Sequence, residues 1–276
     1  MRMICVLSVT SDSDLYLFNL PFAVYSWRKL GFEPLILWTS PNLEYMDRWQ
    51  LVLKYCYRFM DYNIWARDER AATYAQCSRL YAAAIHYIRP DDILVTADAD
   101  MCVFDRPYWD RLPNKEKVFH IIGYDLVPDG QVPMCYIMAP AREWNKAMNM
   151  GAMGINECLE RELGHIQTDN MRGNYWCKDQ ELAYNHIMAY AKSDDAAAPV
   201  WLHRRARPGT QLANRRADRD GWPDPIPDDI LDAHLPRPGY LPENFSKIAK
   251  LFKSMYPGAD LEWMAEYYNK YIELIK

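Results

Sequence analysis

Ile93-Leu94-Val95-Thr96-Ala97-Asp98-Ala99-Asp100-Met101-Cys102-Val103-Phe104 is the stretch on which the fold turns. A short, nearly continuous apolar run leads straight into Asp-Ala-Asp. Such a run reads as a strand buried on both faces, the kind found in parallel sheets. In extended backbone, residues i and i+2 share a face, so Asp98 and Asp100 present carboxylates side by side and Ala99 turns away. Two like charges so placed repel, and a divalent cation resolves the repulsion. Oxygen-only ligands suit Mg²⁺ or Mn²⁺, which keep positions open for phosphate oxygens. The carboxyl end of a parallel strand is also where open α/β sheets bind ligands.

The flanking sequence repeats the alternation of strand and helix. Ile4 to Val9 reads as a first strand, Leu15 to Leu30 as a helix stopped at Gly31, and Pro34 to Thr39 as a second strand. Leu43 to Tyr57, Glu69 to Tyr87, Asp179 to Ala191 and Leu261 to Ile275 carry helical spacing. Val118 to Tyr124 and Met134 to Ala139 read as further strands. This predicts an α/β protein with a mainly parallel central sheet flanked by helices. The stretch from Pro199 to Pro242 holds 8 of the 18 prolines and shows little periodicity, which predicts long ordered loops over the sheet. No linker is evident, so residues 1–276 are expected to form one domain. Residues 1–125 would be its nucleotide-binding half, 126–245 the half that completes the metal and acceptor sites, and 246–276 a C-terminal helix.

Lys plus Arg number 32 against 37 Asp plus Glu in 276 residues, a net charge of −5, which argues against nucleic acid as a partner. The 10 Trp and 20 Tyr suit either a core or sugar and base stacking, and composition does not separate the two. The 7 cysteines are scattered with no C-x-x-C pair, which points to free thiols in a reducing compartment. There is no run long enough for a membrane span and no signal-peptide pattern, so a cytoplasmic location is expected.

Five islands, in order, resemble the GT-A glycosyltransferases, and family eight of that group in particular. Leu7-Ser8-Val9-Thr10-Ser11-Asp12 with Tyr16 is similar to the family's first strand and uridine-contacting loop. Leu35 to Thr39 is similar to its second strand. Ser78-Arg79-Leu80-Tyr81 followed by Asp91 to Met101 resembles its basic helix and Asp-x-Asp strand. Lys178-Asp179-Gln180-Glu181-Leu182 resembles its Asp-Gln at a helix start, and His234-Leu235-Pro236-Arg237-Pro238-Gly239-Tyr240 a variant of its late histidine motif.

The resemblance implies a Mn²⁺ or Mg²⁺ ion held by Asp98, Asp100 and His234 and bridging the diphosphate of a nucleotide sugar, with a UDP-sugar as donor and a glycan as acceptor. A nitrogen ligand beside two carboxylates fits Mn²⁺ somewhat better. His203, His165 and His186 are weaker ligand candidates. The donor would be held by Val9, Thr10, Asp12, Tyr16, Arg79, Asp98, Ala99, Arg237 and Gly239, and the transferred sugar would face Asp179 and Gln180. Asp179 would be the base if the reaction inverts; if it retains configuration, as family eight does, the leaving phosphate takes the proton. The family keeps a Lys just past its late Gly, where this chain has Tyr240, Leu241 and Pro242.

Each of these residues has a plainer structural role available. Asp12 and Asp179 are good helix caps. The six arginines within residues 204–219 read as a solvated loop offset by nearby aspartates, the alternative being a basic loop that closes over the diphosphate or meets an anionic acceptor. Two other functions fit the Asp pair less well. A haloacid-dehalogenase-like phosphatase wants Thr or Val where Cys102 stands, and a nucleotidyltransferase wants a Gly-rich loop where Ser8 to Asp14 has no glycine. A non-catalytic nucleotide-sugar-binding module remains the alternative from another class.

Overall fold

A computed structural model describes residues 1–39, 46–64, 70–115, 117–166, 175–193, 200–203, 216–222, 226–227 and 230–276. The chain begins with strand β1 (Met3–Thr10), helices α1 (Asp14–Leu17) and α2 (Leu20–Lys29), and strand β2 (Glu33–Thr39). Helix α3 (Met46–Tyr55), strand β3 (Met60–Ile64) and helix α4 (Ala71–Ser78) follow, and α4 tightens into a 3₁₀ turn over Arg79–Ala84. Strands β4 (Ile93–Asp98) and β5 (Met101–Val103) come next, then helix α5 (Arg106–Asp110), strands β6 (Phe119–Ile122) and β7 (Ile137–Pro140), and helices α6 (Ala141–Ala147), α7 (Ile155–Leu163) and α8 (Lys178–Ala191). Short strands β8 (Val200–His203), β9 (Arg216–Asp218) and β10 (Asp232–His234) precede helices α9 (Pro242–Met255) and α10 (Glu262–Ile275).

The central sheet has seven strands in the order β3-β2-β1-β4-β7-β6-β8. β1 pairs in parallel with β2 and β4, β2 with β3, and β6 with β8, whereas β7 runs antiparallel to both neighbours. The expected mostly parallel sheet is therefore present, with one reversed strand in its middle. Alternation along the buried strands explains why it has a core on each side. Cys5, Leu7 and Val9 of β1 and Ile93, Val95 and Ala97 of β4 join the core under α2, α9 and α10. Ile4, Val6 and Leu94 join the core under α4, α6, α7 and α8.

Two expected helices break, each for a local reason. The one expected over Leu15 to Leu30 splits at Phe18-Asn19 because Pro21 lies in the first turn of α2 and has no N–H to continue α1. The one expected over Glu69 to Tyr87 leaves α-helical geometry at Arg79, a tightened turn of the sort common at functional residues. Gly31 does end α2, with φ of 78°. The Pro-rich stretch contains three short strands among its described residues, and α9 opens at Pro242.

The aromatic load goes chiefly into the core. Phe18 stacks on Tyr267 at 5.2 Å and meets Tyr271 at 5.0 Å. Tyr267 Oη donates to Phe18 O at 3.1 Å, and Tyr271 Oη to Asp14 Oδ1 at 2.5 Å. α10 thereby clamps the turn that carries Tyr16. No helix among the described residues is long and apolar enough to cross a membrane.

Asp92 anchors the entry to β4. It accepts from Arg2 Nε at 3.1 Å, from a second Arg2 guanidinium nitrogen, and from the backbone N–H groups of Arg2 at 3.1 Å and Arg89 at 2.9 Å. Burial acts to raise its pKa, and these bonds outweigh burial and hold it below the ordinary carboxylate value. A depressed carboxyl stabilises the fold above its unfolded pKa, and that stability is lost as pH falls through the folded value. Asp92→Asn is therefore expected to cost about 3 kcal/mol at pH 7. In urea denaturation across pH, its deficit against wild type should shrink below about pH 4.

Candidate metal and donor site

The site is assembled at the carboxyl ends of β1 and β4, which lie level because Ser8 pairs with Asp98. Asp98 closes β4, and Asp100 follows immediately before β5. A second, three-stranded sheet of order β5-β10-β9 brings the distant partners in. Its register sets His234 opposite Met101 and beside Asp218, and Leu235 N donates to Asp100 O at 2.8 Å. Arg216 grips Asp232 through Nε at 2.8 Å and Nη2 at 3.0 Å, and Tyr136 Oη reaches the same carboxylate at 2.9 Å. Trp222 Nε1 donates to His234 O at 3.0 Å. These bonds hold β10 where His234 faces the aspartates.

His234 Nε2 lies 3.5 Å from Asp98 Oδ2 and 3.4 Å from Asp100 Oδ1, while Nδ1 is 3.1 Å from Asp218 Oδ1. One ligand atom from each of Asp98, Asp100 and His234 falls within 4.8 Å of the others, and no other group of three such side chains occurs among the described residues. Asp100 is fully buried, yet neither of its carboxylate oxygens accepts a hydrogen bond among the described residues. Its oxygens face positive groups without hydrogen-bond geometry, Arg237 Nε at 3.3 Å, His234 Nε2 at 3.4 Å and Arg219 Nη2 at 3.6 Å, and a buried carboxylate held by charge alone fits a hard cation. Burial acts to lower the pKa of His234, but the negative charge of Asp100, with Asp218 and Asp98 around the ring, holds it well above the ordinary range. The position in front of Nε2 is thus one that attracts positive charge. Asp218 meanwhile fixes the ring from behind, as partners of metal-binding histidines commonly do, and its own pKa is lowered to about 2 by the bond to His234.

Arg79 ties the metal side to the opposite wall. From the start of the 3₁₀ turn it donates to Ala97 O at 2.9 Å, Asp98 Oδ1 at 2.6 Å and Asp179 Oδ2 at 2.7 Å. Burial acts to raise the Asp98 carboxyl, but Arg79 and His234 bring it well below its ordinary value. For Asp179 burial prevails over Arg79, and its pKa is raised. Gln180 N donates to Asp179 Oδ1 at 2.9 Å, and the side-chain Oε1 of Gln180 is buried without a donor among the described residues. The arginine guanidinium of Arg237 lies 4.7 Å from the Tyr16 ring centroid, with Nε 3.3 Å from Asp100 Oδ2.

Of the donor residues expected from sequence, Tyr16, Arg79, Asp98 and Arg237 converge here, together with Asp100, His234, Asp179 and Gln180. Val9, Thr10 and Ala99 are buried at the strand ends, and Asp12 is exposed on the turn after β1. Gly239 packs against α1 and α2: a Cβ there would stand 2.2 Å from Asn19 Oδ1. That close approach is a structural need for glycine. His203 pairs instead with His120 at 2.8 Å between β8 and β6, and His186 lies 3.5 Å from Glu162. Asp218 joins the site beside His234 with no signal in the sequence, and Arg216 and Arg219 belong to the arginine-rich stretch. The arginine-rich stretch reads as a solvated loop, but the structure turns Arg216 and Arg219 inward. Arg204, Arg205, Arg207 and Arg215 lie outside the described residues.

No protein-family profile matches the chain, and no curated protein matches it. Among solved structures, it is similar to the galactosyltransferase LgtC in complex with donor and acceptor sugar analogs, at 12% identity over 95% of this chain and 99% of that one, TM-score 0.46. It is similar to the bifunctional glycosyltransferase WbbM at 14% identity over 98% of this chain and 51% of that one, TM-score 0.46. Mouse xyloside xylosyltransferase 1 matches at 7% identity over 84% of this chain and 96% of that one, TM-score 0.39. Likenesses this distant say nothing about which side chains react.

Arg79→Met strands one buried carboxylate, Asp179, and one half-buried, Asp98, and is expected to cost about 3 kcal/mol at pH 7 in urea denaturation. Part of that loss should return as pH is lowered from 7, because Asp179 takes up a proton more readily than an ordinary aspartate.

Proposed function

We propose that this protein is a metal-dependent glycosyltransferase of the GT-A type, a single transferase domain that moves a sugar from a nucleotide diphosphate sugar, with UDP as the carrier, to a hydroxyl of a glycan. The observation that carries this is the Asp98, Asp100 and His234 cluster, in which a fully buried carboxylate has no hydrogen-bond partner among the described residues.

Asp98, Asp100 and His234 are the residues that would hold Mn²⁺ or Mg²⁺. Bound there, the ion supplies Lewis-acid stabilisation of charge on the departing diphosphate. Arg237 adds a fixed positive charge on the Tyr16 side. The turn after β1, with Thr10, Asp12 and Tyr16, would receive the base and ribose. Arg79 holds Asp98 toward the ion and Asp179 toward the transferred sugar through one guanidinium, and Gln180 offers its unpaired Oε1 to a sugar hydroxyl.

The same contacts favour retention of configuration. A general base needs a free oxygen in reach of the acceptor. Asp179 is 2% exposed, with one oxygen bonded to Arg79 and the other to Gln180 N. That suits a positioning role, and the acceptor's proton would go to the leaving diphosphate. A phosphatase fits less well, because its first aspartate must attack phosphorus, and Asp98 is held on both oxygens, Oδ1 by Arg79 at 2.6 Å and Oδ2 facing His234 Nε2 at 3.5 Å.

In a panel of nucleotide sugars incubated with Mn²⁺, a UDP-sugar is expected to release UDP, and EDTA to stop the release. Asp100→Asn should lower that rate about 100-fold or more with its thermal melt intact. Wild-type turnover by this variant would overturn the proposal.

A further inference from the structure

Arg219 stands at the mouth of the site. Its Nη2 lies 2.9 Å from His234 Nε2 and 3.6 Å from Asp100 Oδ2. An arginine has only N–H donors, so in the neutral ring, whose Nδ1–H faces Asp218, this contact takes up the Nε2 lone pair with which His234 would bind a cation. The Nε of Arg219 is buried with no acceptor among the described residues, and its backbone sits at φ of 24°, an uncommon state for a residue with a side chain. Arg237 Nε is 3.3 Å from the same Asp100 oxygen. With Arg79 shared between Asp98 and Asp179, the guanidinium groups of Arg219 and Arg237 stand beside His234 as the positive groups that answer Asp100 among the described residues.

We propose that Arg219 holds the place of the divalent cation until a nucleoside diphosphate arrives, and so couples the binding of the two. This deepens the transferase reading and rests on it. An ion entering a cluster already neutralised by arginines must displace one of them and leaves the site with excess positive charge. The diphosphate removes that excess. Released from His234, Arg219 can pair with phosphate oxygens in two-pronged fashion. Tyr240, Leu241 and Pro242 offer no cation beyond Gly239, and Arg219 supplies it from β9's end of the small sheet. Metal and diphosphate then strengthen each other by the same factor, as linkage requires.

Calorimetric titration of wild type and Arg219→Gln with Mn²⁺ alone, UDP alone and each in the presence of the other tests this. Wild type is expected to bind Mn²⁺ weakly alone and about tenfold or more tightly with UDP. Arg219→Gln should bind Mn²⁺ alone about tenfold more tightly and the Mn²⁺–UDP pair about tenfold more weakly. These opposite shifts are not what a merely structural role would give. Arg219→Lys, which keeps the charge, should remain near wild type for Mn²⁺ alone. Unchanged or weakened Mn²⁺ binding by a folded Arg219→Gln would overturn the inference and leave the transferase standing. Failure of wild type to bind Mn²⁺ with UDP present would overturn both.

Discussion

Two carboxylates two residues apart at the end of a buried strand repel each other, and the site is organised around that repulsion. At about 4 Å, like charges interact by about 4 kcal/mol where the effective dielectric is near 20. Asp98 is answered by Arg79, delivered from the turn that follows α4. Asp100 is answered by Arg219, Arg237 and His234, delivered from the small sheet and the segment after it. Neither answer is local in sequence. The strand that creates the problem and the elements that relieve it are separate parts of the chain, and their docking is what makes the site.

How much of this was legible follows from how long each element is. β1, β2 and β4 are long enough, and apolar enough, to be read directly. The third helix was read as continuous because Leu80 and Ala83 keep helical spacing, and nothing local reveals the change to a 3₁₀ turn at Arg79. The C-terminal helix expected over 246–276 is two helices, α9 and α10, parted at Pro257-Gly258, and Phe245, Ile248, Leu251 and Phe252 carry the first of them at helical steps after Pro242. β9 and β10 have three residues each and carry no period. Nothing local therefore marks Asp218 as a site residue or singles out Arg219 within its arginine-rich stretch, since their placement comes from a register that sets Asp218 beside His234.

The residues that were recognisable are those whose type is constrained by chemistry in any arrangement: a carboxylate pair, a histidine, an arginine near a strand end. Those that were missed act by orienting them. Asp232, gripped by Arg216 and Tyr136, is not part of the Asp98, Asp100 and His234 cluster, but it fixes β10 and so fixes the approach of His234. A pattern reader finds ligands sooner than the groups that hold them, because the second kind can be satisfied by many residue types at many positions.

The two ends of the chain meet at this site through packing as well as charge. Gly239 fits against Asn19 where no side chain could, Tyr240 packs edge-on to Phe18 at 6.2 Å, and Tyr271 fixes Asp14. The turn bearing Tyr16 and the segment bearing Arg237 are thereby one packed unit, and the guanidinium of Arg237 lies over the Tyr16 ring as a consequence. In the proposed reaction, the base end and the phosphate end of the donor would be held by this one unit, while Arg79 and Asp179 hold the sugar end from the opposite core. The central sheet separates those two cores, and the ends of β1 and β4 are where groups supported by both can face one small molecule.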